Sequence, residues 1–264
     1  IRRPPRSTRK ESSAASDVYK RQELNMSLLS VKKLSKNIKN RNIIKDINFS
    51  INSEEIVGLL GPNGAGKTTT FYSIAGLIQP SDGEIFLNDV NITNMPMHLR
   101  SRHGISYLPQ EASIFQNLSV EDNILGLAQL SMKHDEGLKA KYNKIVEDFN
   151  LSNILTQKGR ELSGGQRRRV EIARCLVTMP KIILMDEPFA GIDPIAVDDI
   201  KKILNKLVSQ GISILITDHN VSAALEICSR GLILSEGKIL AEGSTDELIK
   251  NTKVREVYLG EMYS

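Results

Sequence analysis

The chain has 264 residues, of which 40% are hydrophobic and 25% are charged, which is the composition of an ordinary globular protein. No apolar run approaches the roughly 18–20 residues that cross a bilayer, so any membrane-spanning partner would be another chain. The net charge is +4, but residues 1–25 carry seven of the 35 basic and three of the 31 acidic residues. The rest of the chain is therefore neutral, and a nucleic-acid partner is not expected.

The first 25 residues differ in character from everything that follows. They lack hydrophobic periodicity and the apolar stretch of a secretory signal, and their composition is typical of a disordered tail. The segment also resembles a translated sequencing-adapter read-through. We therefore expect residues 1–25 to be a non-native leader, the native start to be Met26, and residues 26–264 to form one domain. A tryptic peptide from residues 11–20 in protein from the source cell would contradict this expectation.

Alternating and continuous apolar runs predict the elements of the first part of the chain. Strands are predicted at residues 28–34, 47–51, 55–60, 84–87 and 105–108, and a helix at residues 66–78. Between about 112 and 162 the pattern becomes helical, most clearly at residues 120–130 and 138–149. This stretch predicts a helical insertion in a domain that otherwise begins with strands.

Strands and helices alternate in the second part of the chain. Helices are predicted at residues 165–178, 195–208 and 221–228, strands at 181–186 and 213–218, and a hairpin at 231–239. The two cysteines, Cys175 and Cys228, lie on predicted helices without metal-ligand spacing and are interpreted as reduced core thiols. Together these elements predict an α/β protein with a parallel core, a β layer at its N-terminal end and the helical insertion.

A complete phosphate-binding motif follows the strand predicted at residues 55–60. This phosphate loop consists of Gly61, Pro62, Asn63, Gly64, Ala65, Gly66, Lys67 and Thr68, and Thr69 adjoins it. Glycines let the backbone approach an anion, and successive N–H groups at a helix start point at its oxygens. Lys67 is expected to neutralise the β- and γ-phosphate oxygens of a nucleotide, and Thr68 to ligate Mg²⁺.

Three further motifs occur downstream, one after another. Ser163, Gly164, Gly165 and Gln166 follow Leu162 and open a helix, which makes a second anion site. We call residues 162–166 the signature segment. An apolar strand then ends in Asp186 and Glu187, and a later strand ends in Asp218-His219.

Loop, signature segment, acidic strand end and histidine, in this order, resemble the nucleotide-binding subunits of ABC transporters. The resemblance covers nearly everything from Met26 onward. It implies a P-loop NTPase (RecA-like) core with an N-terminal antiparallel β layer and an α-helical subdomain, formed by residues 112–162 plus the signature helix. It also implies an ATPase that uses ATP and Mg²⁺.

The resemblance assigns roles to individual residues. Asp186 would bind Mg²⁺, and Glu187 would polarise the attacking water as general base. The alternative for Glu187 is a capping carboxylate before Pro188. Gln110 would reach Mg²⁺ or the water, and His219 would contact the γ-phosphate; a surface histidine is the alternative there.

The resemblance also implies a dimer. In this family two subunits meet head to tail, and the signature segment of each closes the γ-phosphate of the other. One motif set per chain would then require a homodimer, with Asp193 linking the two sites across the interface.

One position departs from the family pattern. The family usually has an aromatic residue, stacked on adenine, shortly before its second strand, whereas residues 35–41 contain none and Ile38 occupies that place. We therefore expect modest ATP affinity and poor discrimination between bases.

Four interpretations of the chain's specific function are considered. Residues 107–115, 166–171, 186–194 and 257–261 resemble the ATPases of lipopolysaccharide-export systems, and this is the reading we favour. A branched-chain amino-acid importer ATPase is the alternative. An ABC protein of DNA repair or translation would usually carry tandem cassettes or a long coiled coil, and a purely structural module would not need Asp186, Glu187 and His219 intact.

The favoured reading places the chain in the cytoplasm, peripheral on the inner face of the bacterial inner membrane through two transmembrane subunits. Phe115, Leu118 and Val120 follow Gln110, where we expect an apolar groove that docks those subunits. Local core packing of the helical insertion is the alternative for these three side chains.

Overall fold

The computed structural model describes residues 27–39, 41–131 and 137–260, so residues 1–25 and the expected start at Met26 lie outside the described residues. Within these ranges ten strands form two sheets: β1 Leu29–Ile38, β2 Arg41–Ile51, β3 Ile56–Leu60, β4 Asp82–Leu87, β5 Val90–Asn91, β6 Ile105–Leu108, β7 Ile182–Asp186, β8 Ser213–Thr217, β9 Arg230–Ser235 and β10 Lys238–Gly243. The helices are α1 Lys67–Ala75, α2 Met97–His103, α3 Val120–Ser131, α4 Leu138–Asp148, α5 Gly164–Leu176, α6 Pro194–Ser209, α7 Val221–Ile227, α8 Thr245–Lys250 and α9 Thr252–Val254.

The two sheets differ in strand direction. The smaller one, in the order β2-β1-β4-β5, is antiparallel throughout. The larger one has the order β10-β9-β3-β8-β7-β6 and is parallel except where β10 pairs with β9. This confirms the predicted parallel core and N-terminal antiparallel layer.

The larger sheet is buried on both faces, as expected for parallel strands. Strands β3, β7 and β8 are buried at every residue. One face packs against α1 and the antiparallel sheet through side chains such as Leu59, Phe71 and Leu184. The other packs against α3, α4, α5 and α6 through side chains such as Ile124, Val146 and Ile200.

The topology brings the sequence motifs to one edge. Strands β3, β6, β7 and β8 run parallel, so their carboxyl ends lie together, where ligands bind in open α/β sheets. The phosphate loop follows β3, Pro109-Gln110 follow β6, Glu187 follows β7, and Asp218-His219 follow β8. Residues far apart in sequence are thereby collected at a single site.

Arg100 on α2 fixes the far end of α1. Its guanidinium is buried and donates to the carbonyls of Ser73 and Ile74, both at 2.6 Å, and of Met95 and Thr93, both at 2.8 Å. A cation at a helix C-terminus satisfies carbonyls that have no partner within the helix. Helix α2 was not predicted, because seven residues are too few to show a helical period.

Several predicted boundaries were wrong. Strand β2 begins at Arg41 rather than at residue 47, and α1 ends at Ala75 rather than at residue 78. Gly76 ends α1 because it takes a left-handed conformation, with φ 80°, in which a Cβ would lie 2.7 Å from the Arg100 side chain. Within the described residues, no helix has the length and apolar character needed to span a membrane.

Candidate active site

The phosphate loop depends on backbone conformations that favour glycine. Gly61 and Gly66 have φ of 144° and 102°. A Cβ on Gly61 would lie 2.1 Å from the Leu234 carbonyl oxygen, and one on Gly66 would lie 2.7 Å from Ile44. Strands β9 and β2 thus pack closely against the loop, which holds it in the shape of an anion cradle at the start of α1.

Lys67 is the first residue of α1, and its side chain turns back onto the loop. Its ammonium donates to the carbonyls of Gly61 at 2.6 Å and Pro62 at 3.0 Å. Burial lowers the pKa of Lys67, and the negative charge of Glu187 opposes that effect. The amine is therefore held beside both the phosphate loop and the acidic end of β7, while Thr68 next to it is exposed.

Glu187 lies at the centre of a cluster of three polar side chains. Its Oε2 accepts a hydrogen bond from Gln110 Nε2 at 2.6 Å, and its Oε1 lies 2.7 Å from His219 Nε2. Its own backbone N–H donates to the Thr217 carbonyl at 2.7 Å, and its φ is 47°, in the left-handed region. The end of β7 is therefore turned so that the carboxylate faces two other strand ends.

Asp186 precedes this turn and is buried. Burial raises its pKa, as does the negative charge of Glu187, whereas Arg168 lowers it. A crowded pair of carboxylates is a setting that a divalent cation would stabilise. Among the described residues no three acids, histidines or cysteines are grouped as metal ligands.

Arg168 on α5 is a residue whose role sequence reasoning missed. Its buried guanidinium donates to the backbone carbonyls of Asp186 and Glu187, both at 3.2 Å, and of Pro109 at 3.0 Å. It also donates to the carbonyl of Pro188 and forms a 3.1 Å ion pair with Glu171. Through Arg168, helix α5 thereby holds both the segment that carries Asp186 and Glu187 and the end of β6 that precedes Gln110.

A signal for Arg168 does exist in the sequence. Arg168 stands three residues after Gly165 and four before Ile172, both of which are buried, and of the consecutive residues Arg167, Arg168 and Arg169 it alone is buried. An arginine on the buried face of a helix requires partners, and the loop carbonyls supply them.

Asp218 ties two segments of the site together. Its carboxylate accepts from the backbone N–H of Phe189 at 3.1 Å and of Asn220 at 2.7 Å. Burial raises the pKa of Asp218, and these two N–H groups lower it. The segment that carries Glu187 and the segment that carries His219 are thus joined by one side chain, whose specific contacts the sequence motif alone did not predict.

The signature segment and Asp193 lie in a separate cleft. Ser163 caps α5 by accepting from the Gln166 N–H at 3.2 Å, and Asp193 caps α6 by accepting from the Ala196 N–H at 2.9 Å. Both line a cleft of about 190 Å³ with Gly165. None of the residues that line this cleft belongs to the phosphate loop. Ser163 and Gly165 therefore face a cleft that does not include Lys67.

Of the three side chains expected in the docking groove, two are exposed. Phe115 and Leu118 are 55% and 44% exposed, whereas Val120 is fully buried in the core at the start of α3. The expectation was wrong for Val120, because its side chain faces the sheet-side core. The Arg174 guanidinium lies 5.0 Å from the Phe115 ring centroid, which is within the range of a cation–π contact.

Ile38 lies at the end of β1, beside Arg41 across the hairpin, and is 45% exposed. An aromatic ring would fit without repacking the core. We expect Ile38→Tyr to lower the Michaelis constant for ATP about two- to tenfold, because ring stacking contributes roughly 0.5–1.5 kcal/mol. Steady-state kinetics with ATP and GTP would measure it. An unchanged constant would show that Ile38 does not adjoin the base, and Val90→Tyr on another strand is the control.

Comparison with known proteins places these features in a family. The family model described as ABC transporter matches residues 44–190. The Haemophilus influenzae lipopolysaccharide export system ATP-binding protein LptB is 48% identical over 90% of this chain and 99% of its own.

Solved structures agree with this match. The ADP conformation of MJ1267, an ATP-binding cassette of an ABC transporter, is 29% identical with a TM-score of 0.82, covering 89% of this chain and all of that one. A dimeric post-hydrolysis state of the cassette MJ0796 bound to ADP and Pi is 25% identical with a TM-score of 0.71, covering 82% and 98%. The chain therefore belongs to the ABC transporter family.

Proposed function

We propose that this chain is the ATP-hydrolysing subunit of an ABC transporter that moves lipopolysaccharide out of the inner membrane. The observation that carries the ATPase assignment is Glu187, held between Gln110 and His219 at the edge of the sheet where the phosphate loop also lies. The assignment of lipopolysaccharide as the cargo is supported by the relative named for lipopolysaccharide export, because the match covers nearly the whole length of that relative. The same match disfavours the amino-acid importer alternative.

The chemistry follows from the positions of these side chains. Backbone N–H groups of the phosphate loop and the Lys67 ammonium bind the phosphate oxygens of ATP and offset their charge. The Glu187 carboxylate accepts a proton from the water that attacks the γ-phosphorus, and the bond to the bridging oxygen of ADP breaks. Gln110 and His219 fix the direction in which that carboxylate points.

Magnesium fits the oxygen donors at this site. Thr68, Asp186 and Gln110 would hold it, directly or through water. When bound, it would neutralise charge on the transferred phosphoryl group.

Two copies of the chain would form the working unit. Ser163, Gly165 and Gln166 of the signature segment line a cleft together with Asp193, and none of the phosphate loop lines it. This surface is proposed to meet the nucleotide of a second copy. The dimeric MJ0796 cassette gives a precedent for pairing in the family. The homodimer would stand on the cytoplasmic face of the inner membrane, attached through transmembrane subunits.

Phe115 and Leu118 are the side chains proposed to contact those subunits. Both are exposed and apolar. They lie a few residues after Gln110, which bonds to Glu187, so a displacement of this surface by a bound subunit would be passed to the catalytic side chains. We expect Phe115→Ala to weaken co-purification of the transmembrane subunits at least about tenfold, as loss of a central aromatic anchor does. Met179→Ala, at another exposed apolar side chain, is the control, and equal recovery with Phe115→Ala would remove the docking role.

The identity of the transporter can be tested directly. An affinity-tagged chain starting at Met26 would be recovered from native membranes and its partners identified by mass spectrometry. We expect two polytopic subunits together with a component that bridges the periplasm. Recovery of permease subunits linked to a periplasmic amino-acid-binding protein would contradict the export assignment and leave the ATPase site as proposed.

A further inference from the structure

The docking segment, residues 113–118, is fixed to helix α5 through its backbone. The Ser113 N–H donates to Glu171 Oε1 at 2.8 Å, and the Arg174 guanidinium donates to the Ser113 carbonyl. The same guanidinium lies 5.0 Å from the ring centroid of Phe115, an exposed side chain of the segment. A displacement of the docking segment would therefore act directly on Glu171 and Arg174.

Three charged side chains follow one another at intervals of three residues on α5. Arg168, Glu171 and Arg174 are all buried, and side chains three residues apart are neighbours on a helix surface. Glu171 Oε2 accepts from Arg168 Nη1 at 3.1 Å, while its Oε1 accepts from the Ser113 N–H. The two oxygens of one carboxylate thus bind two different parts of the protein.

Arg168 continues this connection to the catalytic carboxylate. Its guanidinium donates to the backbone carbonyl of Glu187 at 3.2 Å and to those of both neighbouring residues. A continuous series of hydrogen bonds therefore runs from the docking segment through Glu171 and Arg168 to the backbone of Glu187. None of these bonds involves the Gln110 side chain, so this route is separate from the contact between Gln110 and Glu187.

This arrangement is not the most stable way to fill the interior beside α5. The Nε of Arg174 is buried and has no hydrogen-bond partner among the residues that the structure describes. Burying charges and leaving an N–H unpaired both cost free energy, and apolar side chains of similar size often pack with equal or greater stability. The buried charges therefore indicate a role beyond stability.

We propose that Glu171 is a positioning residue that couples the docking segment to Glu187. When a transmembrane subunit displaces Ser113, Glu171 passes the displacement to Arg168, and the backbone that carries Glu187 moves with the guanidinium. This inference rests on the proposed function, in which a transmembrane subunit docks at Phe115. Substitutions in such a contact network change the coupling between two sites without removing either site.

The test is Glu171→Gln, compared with wild type as the isolated chain and as the complex with co-purified transmembrane subunits. An amide has one acceptor oxygen, so it can bond to Arg168 or to the Ser113 N–H but not to both. The charged guanidinium forms the stronger hydrogen bond and keeps that oxygen, so Ser113 is released.

The quantity to compare is the ratio of ATP turnover in the complex to turnover by the isolated chain. We expect the transmembrane subunits to change turnover of the wild type, and this change, expressed as that ratio, to shrink at least about threefold in Glu171→Gln. A merely structural role would lower both rates by the same factor and leave their ratio unchanged.

Binding of the transmembrane subunits should be retained in Glu171→Gln. The exposed side chains of Phe115 and Leu118 are unchanged. The Asn123 amide still bonds to the N–H and the carbonyl of Phe115, at 2.8 and 3.0 Å. We therefore expect the variant to recover the subunits at the wild-type level, so that a smaller response in turnover reports coupling and not loss of the partner.

Two further variants separate the coupling role from general damage. Ser113→Ala removes the hydroxyl but keeps the backbone N–H and carbonyl that bind α5, and it should keep the wild-type ratio. Arg174→Met removes the contact with the Ser113 carbonyl and leaves the Arg168–Glu171 pair in place, so it should also shrink the ratio. It keeps the inference testable if Glu171→Gln does not fold, which thermal melts of all three variants would show.

The outcomes are distinguishable from those that bear on the proposed function. If the transmembrane subunits change turnover equally in the wild type and in Glu171→Gln, the coupling role is wrong and the proposed function stands. If turnover of the wild type is the same with and without the subunits, the proposed link between hydrolysis and transport fails, and the coupling role with it. Equal losses of both rates in Glu171→Gln, with an unchanged ratio, would also contradict the inference.

Discussion

Glu187→Gln is expected to lower ATP turnover at least about 100-fold, the range over which positioned general bases act, while ATP affinity changes by no more than about twofold. Glutamine keeps the size of the side chain and can still accept a hydrogen bond from Gln110. It cannot take a proton from water. The loss should therefore fall on the catalytic rate constant, measured by phosphate release, and not on binding, measured with a fluorescent nucleotide.

Glu147→Gln provides a matched control, because Glu147 is an exposed glutamate on α4 outside the site. It should leave both rate and affinity at wild-type values. Near-normal hydrolysis by Glu187→Gln would contradict the assignment and favour the capping role, in which the carboxylate merely precedes Pro188. A loss of nucleotide affinity as large as the loss of rate would show that Glu187 supports binding instead.

Arg168→Met is expected to lower the free energy of unfolding by about 3 kcal/mol, because removing one member of a buried ion pair strands the other. The stranded group is Glu171, which is buried and receives a hydrogen bond from the Ser113 N–H as well. The carbonyls of Asp186 and Glu187 would also lose a donor. Chemical denaturation measures the stability change.

The same variant should reduce turnover about 100-fold under conditions where it is fully folded, since small displacements of catalytic groups have effects of that size. Arg167→Met, at the preceding and more exposed residue, should change stability by less than about 0.5 kcal/mol. Arg168→Lys keeps the charge but loses the planar fork, so it should fold more stably than Arg168→Met yet stay impaired in turnover. Wild-type turnover by Arg168→Met would show that the arginine does not position Glu187.

Much of the fold follows from local patterns in the sequence. Continuous apolar runs such as those ending at Leu60, Asp186 and Thr217 predict buried parallel strands, and each is followed by polar residues that the sheet brings to one edge. The proximity of Gln110, Glu187 and His219 was predictable because each follows such a strand. Their contacts with one another required the structure.

Other features could not be predicted because they depend on distant contacts. The seven residues of α2 are stabilised through Arg100, which reaches α1 at positions 26 and 27 residues earlier. Arg168 bonds to carbonyls 59 residues before it and about 20 after it. Val120 was placed in a surface groove because it follows Gln110 as Phe115 and Leu118 do, and only the packing of α3 against the core shows otherwise.

Lipopolysaccharide release from membrane vesicles would test the proposed transport function. The complex recovered with the tagged chain would be reconstituted with lipopolysaccharide, and released material would be measured with and without ATP for wild type and Glu187→Gln. We expect release that requires ATP and is lost in Glu187→Gln. Normal ATP hydrolysis by the wild-type complex without ATP-dependent lipopolysaccharide release would contradict it.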